Sequence, residues 1–281
     1  MDVIKINPFP SVAASTPAVL ATDQLKGYSL HGLVFVQGGT AFTKAHMTDI
    51  RIGANGKNFI DNISVSQLQD MNDYDGLADT ANHVFWWFGD PTARTIRGQH
   101  LGDLDLSVHK GPLEIDVAIG AATAPTLQVY AIIGPPKAQM GLGFTDSEVV
   151  AVRSLIRSVI QNSAAVTRKA EGIGLGSGAG ARIRKLAFFH TNLTSVEFKK
   201  QGITKHEDLS DALNDAIQLE FGRVPQAALY VVDRIVDGNQ GEADDTLRPD
   251  GSPWNLQVLI TTSAAETSTV FADVITAPQL L

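Results

Sequence analysis

Short runs of alternating apolar and polar residues, separated by turn residues, dominate the pattern of this chain. Residues 101–108 and 113–119 alternate at a period of two, which is typical of a strand with one buried and one wetted face. Residues 47–52 alternate in the same way and lead into Asn55-Gly56, a pair that favours the positive φ angles of a hairpin turn. Further strand-length runs lie at 28–36, 83–88, 127–133, 183–189, 193–198, 227–236, 254–260 and 269–275. Many short strands at this spacing predict an all-β sandwich or barrel.

The strand pattern of the first half occurs again in the second half. Residues 47–52 align with 193–198, which lie 146 positions later, and both blocks lead to a glycine, Gly56 or Gly202. Two more pairs of blocks keep the order at similar offsets, 111–119 with 252–260 and 126–130 with 268–272. A period of domain length predicts two copies of one fold rather than a solenoid.

Each half also carries a helix-like insert after its hairpin. The insert at 65–73 has a weak helical pattern. The insert at 208–221 is stronger, because its apolar residues recur at helical spacing along one stripe. The stripe consists of Leu209, Ala212, Leu213, Ala216, Ile217 and Phe221.

These patterns predict four segments along the chain. Residues 1–27 form an extended N-terminal arm or edge strand, since prolines at 8, 10 and 17 remove ladder donors. The first β domain covers 28–136 and the second covers 182–281. Between them, 137–181 is a linker with an amphipathic helix at 145–161, which begins at a capping box, Thr145 to Glu148. The linker ends in a glycine-rich connector at 172–180, which we expect to be flexible.

Composition narrows the functional classes. The length of 281 residues fits two domains, and the net charge of −8 argues against a general nucleic-acid binder. The chain has no cysteine, which excludes a disulfide framework, a thiolate metal site and a cysteine nucleophile. The N-terminus lacks the pattern of a signal peptide, and no apolar window reaches the length of a membrane span. We therefore expect a protein that is neither exported by a cleaved signal nor embedded in a membrane.

Catalytic motifs are missing from the sequence, so no enzyme is predicted. The seven histidines include no His-x-His pair of the kind that holds a metal in duplicated cupin barrels. The glycine run at 172–180 fits neither a nucleophile elbow nor a phosphate-binding loop. An enzyme on a duplicated β scaffold is the third of our functional hypotheses, and no catalytic or cofactor-binding residue is assigned.

Two acidic stretches, 70–76 and 237–245, offer oxygen ligands on loops. In the second, Asp237, Asn239, Asp244 and Asp245 are candidate ligands for Ca²⁺, which prefers oxygen donors. The alternative is a solvated turn, since Asp, Asn and Gly dominate turns. Calcium is the one cofactor that the sequence suggests.

The chain resembles a known family at the residues described above. The arm at 7–14 (NPFPSVAA), the strand at 47–52 with its Asn55-Gly56 turn, and the strand at 193–198 followed by the helix at 208–221 carry the resemblance. They are similar to the double jelly-roll major capsid proteins of tailless icosahedral bacteriophages with an internal membrane, of the corticovirus type. The resemblance implies two tandem eight-stranded jelly rolls joined by the linking helix. It also implies homotrimeric, pseudo-hexagonal capsomers in the virion capsid, assembled in the host cytoplasm around the membrane.

The same resemblance sets expectations for partners. These are further copies of the chain, neighbouring capsomers, and other capsid and membrane proteins of the virion, with no sequence-specific nucleic acid and no enzymatic activity. Some family members bind calcium, although no family ligand motif matches this sequence residue by residue.

The segment 145–185 carries seven basic and three acidic side chains within an acidic chain, so we weigh two roles for it. It either faces anionic lipid head groups of the inner membrane or packs against protein with its arginines paired to acids. The basic residues are Arg153, Arg157, Arg168, Lys169, Arg182, Arg184 and Lys185.

The alternative function is a two-domain β-sandwich module that binds a carbohydrate or receptor, such as a viral spike or lectin-like protein. The aromatic run at 85–88 would then serve as a sugar platform. Its structural interpretation is a strand with two rings in the core and two facing a neighbour.

Overall fold

The computed structural model describes residues 1–78, 80–109, 111–176 and 180–276. Within these ranges the chain forms two compact units. Unit 1 comprises Met1–Asn72 and Leu77–Ser154, and unit 2 comprises Asp73–Gly76 and Leu155–Thr276.

Unit 1 is built from two antiparallel sheets. One has the strand order β1-β9-β3-β6, with β7 paired to β3, and the other has the order β5-β4-β8-β2. The strands are β1 (Asp2–Lys5), β2 (Pro17–Thr22), β3 (Ser29–Gly39), β4 (Met47–Ala54), β5 (Lys57–Ile63), β6 (His83–Trp87), β7 (Leu104–Asp105), β8 (Leu113–Ile119) and β9 (Pro125–Gly134). The helices are α1 (Val65–Tyr74), α2 (Ile96–His100) and α3 (Asp146–Val149).

Unit 2 has the same construction. Its sheets have the orders β15-β12-β18-β10, with β16 paired to β12, and β11-β17-β13-β14. The strands are β10 (Val152–Asn162), β11 (Val166–Glu171), β12 (Ala181–Phe189), β13 (Leu193–Lys200), β14 (Ile203–Ser210), β15 (Leu229–Asp233), β16 (Asp244–Asp245), β17 (Leu256–Thr262) and β18 (Glu266–Thr276), with helix α4 (Asp211–Glu220). Apolar residues from both sheets, such as Phe188 and Val270 of one and Phe198 and Ile260 of the other, share one buried cluster. The two sheets therefore pack face to face as a sandwich.

The sheets of unit 1 and unit 2 have the same strand order. The path β1-β9-β3-β6 becomes β10-β18-β12-β15 when each strand is replaced by its counterpart, and the second sheet follows the same rule. Each unit thus has eight strands in jelly-roll order and one additional two-residue strand. This confirms two tandem eight-stranded jelly rolls, and it confirms the sequence repeat that predicted the duplication.

Local details repeat at the sequence offset of 146. The hairpin turn Asn55-Gly56 has φ angles of 54° and 73°, and Gln201-Gly202 has 55° and 74°. Both φ angles of each turn lie in the left-handed region, as a type I′ turn requires.

An amide side chain caps the end strand of one sheet in each unit. Asn72 donates to the carbonyl of Phe85 on β6 at 2.8 Å, and Gln218 donates to that of Val231 on β15 at 2.7 Å. Donor and acceptor both keep the offset of 146. The duplication therefore extends to a hydrogen bond that protects a sheet edge.

The predicted helix at 145–161 is wrong. Its capping box forms, with Thr145 and Glu148 bonded to each other's backbone amides, but α3 ends at Val149 and β10 follows. The spacing of four residues between Val152, Ile156 and Ile160 places them on one face of either a helix or a strand. Spacing alone therefore does not distinguish a helix from a strand here. From residue 156 to 162, the exposed positions alternate strictly with covered ones, and pairing with β18 supplies the backbone partners. Most of these apolar residues are also β-branched, which favours a strand.

The separate arm at 1–27 is not observed. Strand β1 pairs with β9 and strand β2 pairs with β8, so this stretch supplies two of the eight jelly-roll strands of unit 1. Both strands end their sheet paths, which agrees with the edge-strand alternative and with the proline content. The run at 101–108 is mostly turn and contains only β7 as strand.

The glycine-rich connector lies partly outside the described residues, at 177–179. The part before it is packed rather than free, since Leu175 is buried in the core of unit 2 and the amide of Gly174 donates to Ser158 Oγ. The aromatic run behaves as the strand interpretation predicts. Trp86 and Phe88 are buried in the core, whereas Phe85 and Trp87 stack on each other on the opposite side, half-buried.

Candidate functional site

The predicted calcium ligands do not converge on one point. Asp237 accepts from the backbone amide of Asn239, and Asn239 in turn accepts from that of Gly241. Asp244 is buried and pairs with Arg234 at 2.6 Å, and Asp245 pairs with Arg182 at 3.3 Å. The two paired carboxylates are already neutralised by arginines, so calcium binding here stays a prediction.

The first acidic stretch contributes to a buried charge network of unit 2. Asp75 pairs with Lys185 and, at 3.1 Å, with Arg223. Arg223 also lies 3.1 Å from Asp233, which accepts a hydrogen bond from the hydroxyl of Tyr74. Burial raises the pKa of Asp233 and raises that of Tyr74 well above its usual value. The network pairs two carboxylates with two cationic side chains, so its charges neutralise one another within unit 2.

The basic segment 145–185 mostly serves interactions within the protein. Arg153 is buried, donates to the carbonyl of Trp87 and lies over the ring of Trp86. The remaining pairs are Arg168 with Glu197, Lys169 with Glu171, Arg182 with Asp245, Arg184 with Asp273 and Lys185 with Asp75. These contacts agree with the protein-packing alternative for the arginines. The lipid contact stays a prediction, and the exposed basic residues of the segment are Arg157, Arg168 and Lys169.

A cluster of two histidines and one aspartate lies inside unit 1. His31 on β3 and His100 at the end of α2 both direct Nδ1 at Oδ2 of Asp103. The distance from His100 Nδ1 to the carboxylate is 2.8 Å, and the two Nδ1 atoms are 3.1 Å apart. Among the described residues, this is the one group of three or more His, Asp or Glu whose ligand atoms converge. Sequence reasoning missed it because His31 lies 69 positions before His100, and a search for His-x-His cannot find such a pair.

A buried lysine supports the turn that carries Asp103. Lys137 Nζ donates to the carbonyls of Leu101 and Ala151, and the Lys137 amide donates to Asp105 at 2.7 Å. Burial lowers the pKa of Lys137 to about 8. These bonds fix the backbone on both sides of Asp103.

Helix α4 has its polar residues inside and its apolar residues outside. Asn214 and Gln218 are 2% and 4% exposed, and both donate to the carbonyl of Val231. The α4 apolar face, which we define as Leu213, Ile217 and Phe221, is 50%, 40% and 51% exposed. The helix at 208–221 and its apolar stripe are observed in shortened form, but the stripe does not enter the core. Exposed apolar stripes are candidate contact surfaces for other protein chains.

A second apolar surface lies on unit 1. Side chains from β1, β3, β6 and β9 line a shallow depression on one side of their sheet, which we call the outer sheet face. It is lined by Val3, Val34, Val36, His83, Phe85, Tyr130 and Ile132. Phe85, one of the two outward-facing rings of the aromatic run, lies in this face.

Two jelly rolls in tandem, with matching strand orders and edge caps, define the double jelly-roll class of β protein. The chain belongs to the viral coat protein P2 family. The model of the family's N-terminal domain matches residues 3–137, and that of its C-terminal domain matches residues 152–278. The chain is therefore a viral coat protein, which does not favour the lectin-like alternative.

Solved structures share this fold at low sequence identity. The major capsid protein P2 from bacteriophage PM2 superposes with a TM-score of 0.78 at 18% identity, over 98% of this chain and 97% of that chain. The STIV MCP gives 0.64 at 14% identity, over 99% and 98%. A chain of the PBCV-1 virus capsid gives 0.51 at 12% identity, over 99% and 94%. No curated protein sequence matches the chain.

In the part of the chain that the structure describes, every helix is too short or too polar to cross a membrane.

Proposed function

We propose that this coat protein is the major capsid protein of an icosahedral virus, and that three copies assemble into a pseudo-hexagonal capsomer of a shell around an internal membrane. Its role is structural and non-catalytic. The fused pair of jelly rolls supports this arrangement, because three such chains around a threefold axis present six similar domains. Neighbouring capsomers then meet through six similar edges.

The inverted α4 helix carries the proposal. The amides on its buried side donate to the carbonyl of Val231 on the edge strand β15, so the apolar face is left for a partner of the chain. A closed ring of identical chains needs two different surfaces on each copy, because its contacts run head to tail. The α4 apolar face lies on unit 2 and the outer sheet face lies on unit 1. We therefore assign them to each other, with the helix of one copy docking on the sheet of the next.

Solution mass tests the proposal. Light scattering on the purified chain is expected to give three times the monomer mass of 30.0 kDa. A monomer at all concentrations and salt conditions would contradict it and would favour the carbohydrate- or receptor-binding module. Repeating the measurement with a calcium-selective chelator tests the 237–245 loop, since dissociation by the chelator would require calcium at the assembly contacts.

The lipid contact has its own test. Flotation with anionic vesicles is expected to weaken on charge reversal at Arg157, Arg168 and Lys169 if the basic segment faces the membrane. Unchanged flotation would leave the segment with its structural role alone.

A further inference from the structure

The cluster of His31, His100 and Asp103 has the composition of a metal site. Two imidazole nitrogens and one carboxylate oxygen point at each other from three separate positions of unit 1. This donor set is typical of Zn²⁺ and related first-row divalent ions, which take imidazole and carboxylate ligands in tetrahedral geometry. Calcium prefers an all-oxygen shell, so this site differs in chemistry from the acidic loop.

The ligand atoms lie closer together than they would around a bound ion. Bonds of about 2.1 Å at tetrahedral angles place neighbouring ligand atoms roughly 3.4 Å apart. The distance from His100 Nδ1 to Asp103 Oδ2 is 2.8 Å, the two Nδ1 atoms are 3.1 Å apart, and His31 Nδ1 lies closer still to Asp103 Oδ2. Binding of the ion therefore requires the two rings to move outward from the carboxylate.

The second carboxylate oxygen of Asp103 points to the same conclusion. Asp103 is fully buried, and its Oδ1 has no hydrogen-bond partner among the described residues. An unpaired buried carboxylate oxygen is costly, because it loses water without gaining a donor. A cation held by the carboxylate offsets that cost through both oxygens.

Two glycines pack directly against the side chains of the cluster, where a Cβ atom would collide with them. A Cβ built at Gly89 would lie 2.7 Å from Asp103 Oδ1, and one built at Gly134 would collide with His31 Nε2. A side chain at Gly134 would therefore displace His31, and one at Gly89 would meet the carbonyl oxygen of Gln99 as well as Asp103. Close packing against these two glycines leaves the side chains of His31 and Asp103 little freedom to move.

Access to the cluster is from the side of His100. His31 and Asp103 are buried, whereas the side chain of His100 retains 19% exposure. We propose that His31 Nδ1, His100 Nδ1 and Asp103 bind one zinc-type divalent cation, which fastens β3 to the turn after α2. The fourth position is open to water at the His100 side. The inference does not depend on capsomer assembly, since all three ligands belong to one unit of one chain.

Metal binding by the purified full-length chain tests this proposal. After removal of metal with a chelator, titration with Zn²⁺ is expected to reach one ion per chain, with a rise in Tm. Co²⁺ is expected to give the intense visible bands of a tetrahedral site, and excess Ca²⁺ is expected to leave them unchanged.

Variants locate the site. His100→Gln is expected to weaken Zn²⁺ binding by at least about tenfold, since even changes in outer-shell partners of metal ligands have effects of that size. The control His46→Gln replaces a half-buried histidine outside the cluster and outside the outer sheet face, and it is expected to bind Zn²⁺ as wild type does. Asp103→Asn, checked for folding by circular dichroism, is expected to lose the Co²⁺ bands.

Three results would overturn the proposal. These are substoichiometric Zn²⁺ binding by folded wild type, displacement of Zn²⁺ by Ca²⁺, or equal binding by His100→Gln and His46→Gln. The Zn²⁺ stoichiometry is measured on the wild-type chain, so this test remains valid even if a variant fails to fold.

Discussion

Replacing the α4 apolar face with serine is expected to weaken capsomer assembly strongly. Leu213, Ile217 and Phe221 are between 40% and 51% exposed in the single chain. Complete burial of such a side chain contributes about 1.5–3 kcal/mol, so covering the exposed half contributes about 1 kcal/mol each. The three together contribute about 3 kcal/mol to each contact between copies. Since 1.4 kcal/mol is a factor of ten, each contact becomes about a hundredfold weaker in the triple serine variant.

The assay is light scattering or sedimentation over a dilution series, which measures the concentration at which the trimer dissociates. A matched control lies on the same helix. Leu219 is 59% exposed and stands two residues after Ile217, about 200° around the helix, so it points away from the stripe. Leu219→Ser changes about as much exposed apolar surface as one substitution in the stripe, such as Leu213→Ser, and we expect it to leave the trimer intact.

The reasoning is refuted if the triple variant dissociates at the wild-type concentration, or if Leu219→Ser weakens assembly as much. Loss of folding is not expected to confuse the result, because exposed side chains contribute little to the stability of the single chain. A far-ultraviolet circular dichroism spectrum of each variant checks this.

Three further predictions concern stability. Burial lowers the pKa of His206 to about 4 in the folded chain, so only the unfolded chain takes up a proton at this residue between pH 6.5 and pH 4. The free energy of unfolding should therefore fall as the pH decreases through that window, by at most about 3 kcal/mol. Urea denaturation at a series of pH values should show a smaller fall for His206→Gln. Asp273→Asn should cost about 3–5 kcal/mol, because Arg184 keeps its charge in the core without its carboxylate partner, and a chemical-denaturation midpoint like wild type would contradict this. Asn72→Leu should cost about 1–3 kcal/mol, since it removes the side-chain donor to the carbonyl of Phe85 on the edge strand β6. Gln218→Leu should cost less, because Asn214 still donates to the carbonyl of Val231, and thermal unfolding that is unchanged in both variants would show that the edge caps are dispensable.

Much of the fold could be predicted from local pattern and repetition. The alternating runs predicted most of the long strands, and Asn55-Gly56 predicted its hairpin because few residue pairs accept two positive φ angles. The offset of 146 predicted the duplication, since both copies must meet the same packing requirements along their strands. The resemblance to coat proteins rested on this order, and the family models confirm it.

Local pattern could not predict the structure where the residues fit both a helix and a strand, or where a strand pairs with a segment distant in the sequence. Val152, Ile156 and Ile160 satisfy both a helix and a strand, and pairing with a strand more than a hundred residues away decided between them. The same limit applies to residues 1–27, whose two strands depend on partners at the end of unit 1.

The sequence by itself determined the class of this protein, because periodicity, turn residues and repetition can be read directly from the order of the amino acids. Tertiary structure alone decided the surfaces and polar clusters. It turned the amides of α4 inward, where they donate to the carbonyl of Val231 on the edge strand β15, and this left the apolar stripe on the outside. It also brought His31 to His100 and Asp103, which no spacing rule connects, because such contacts depend on how the sheets fold back on each other.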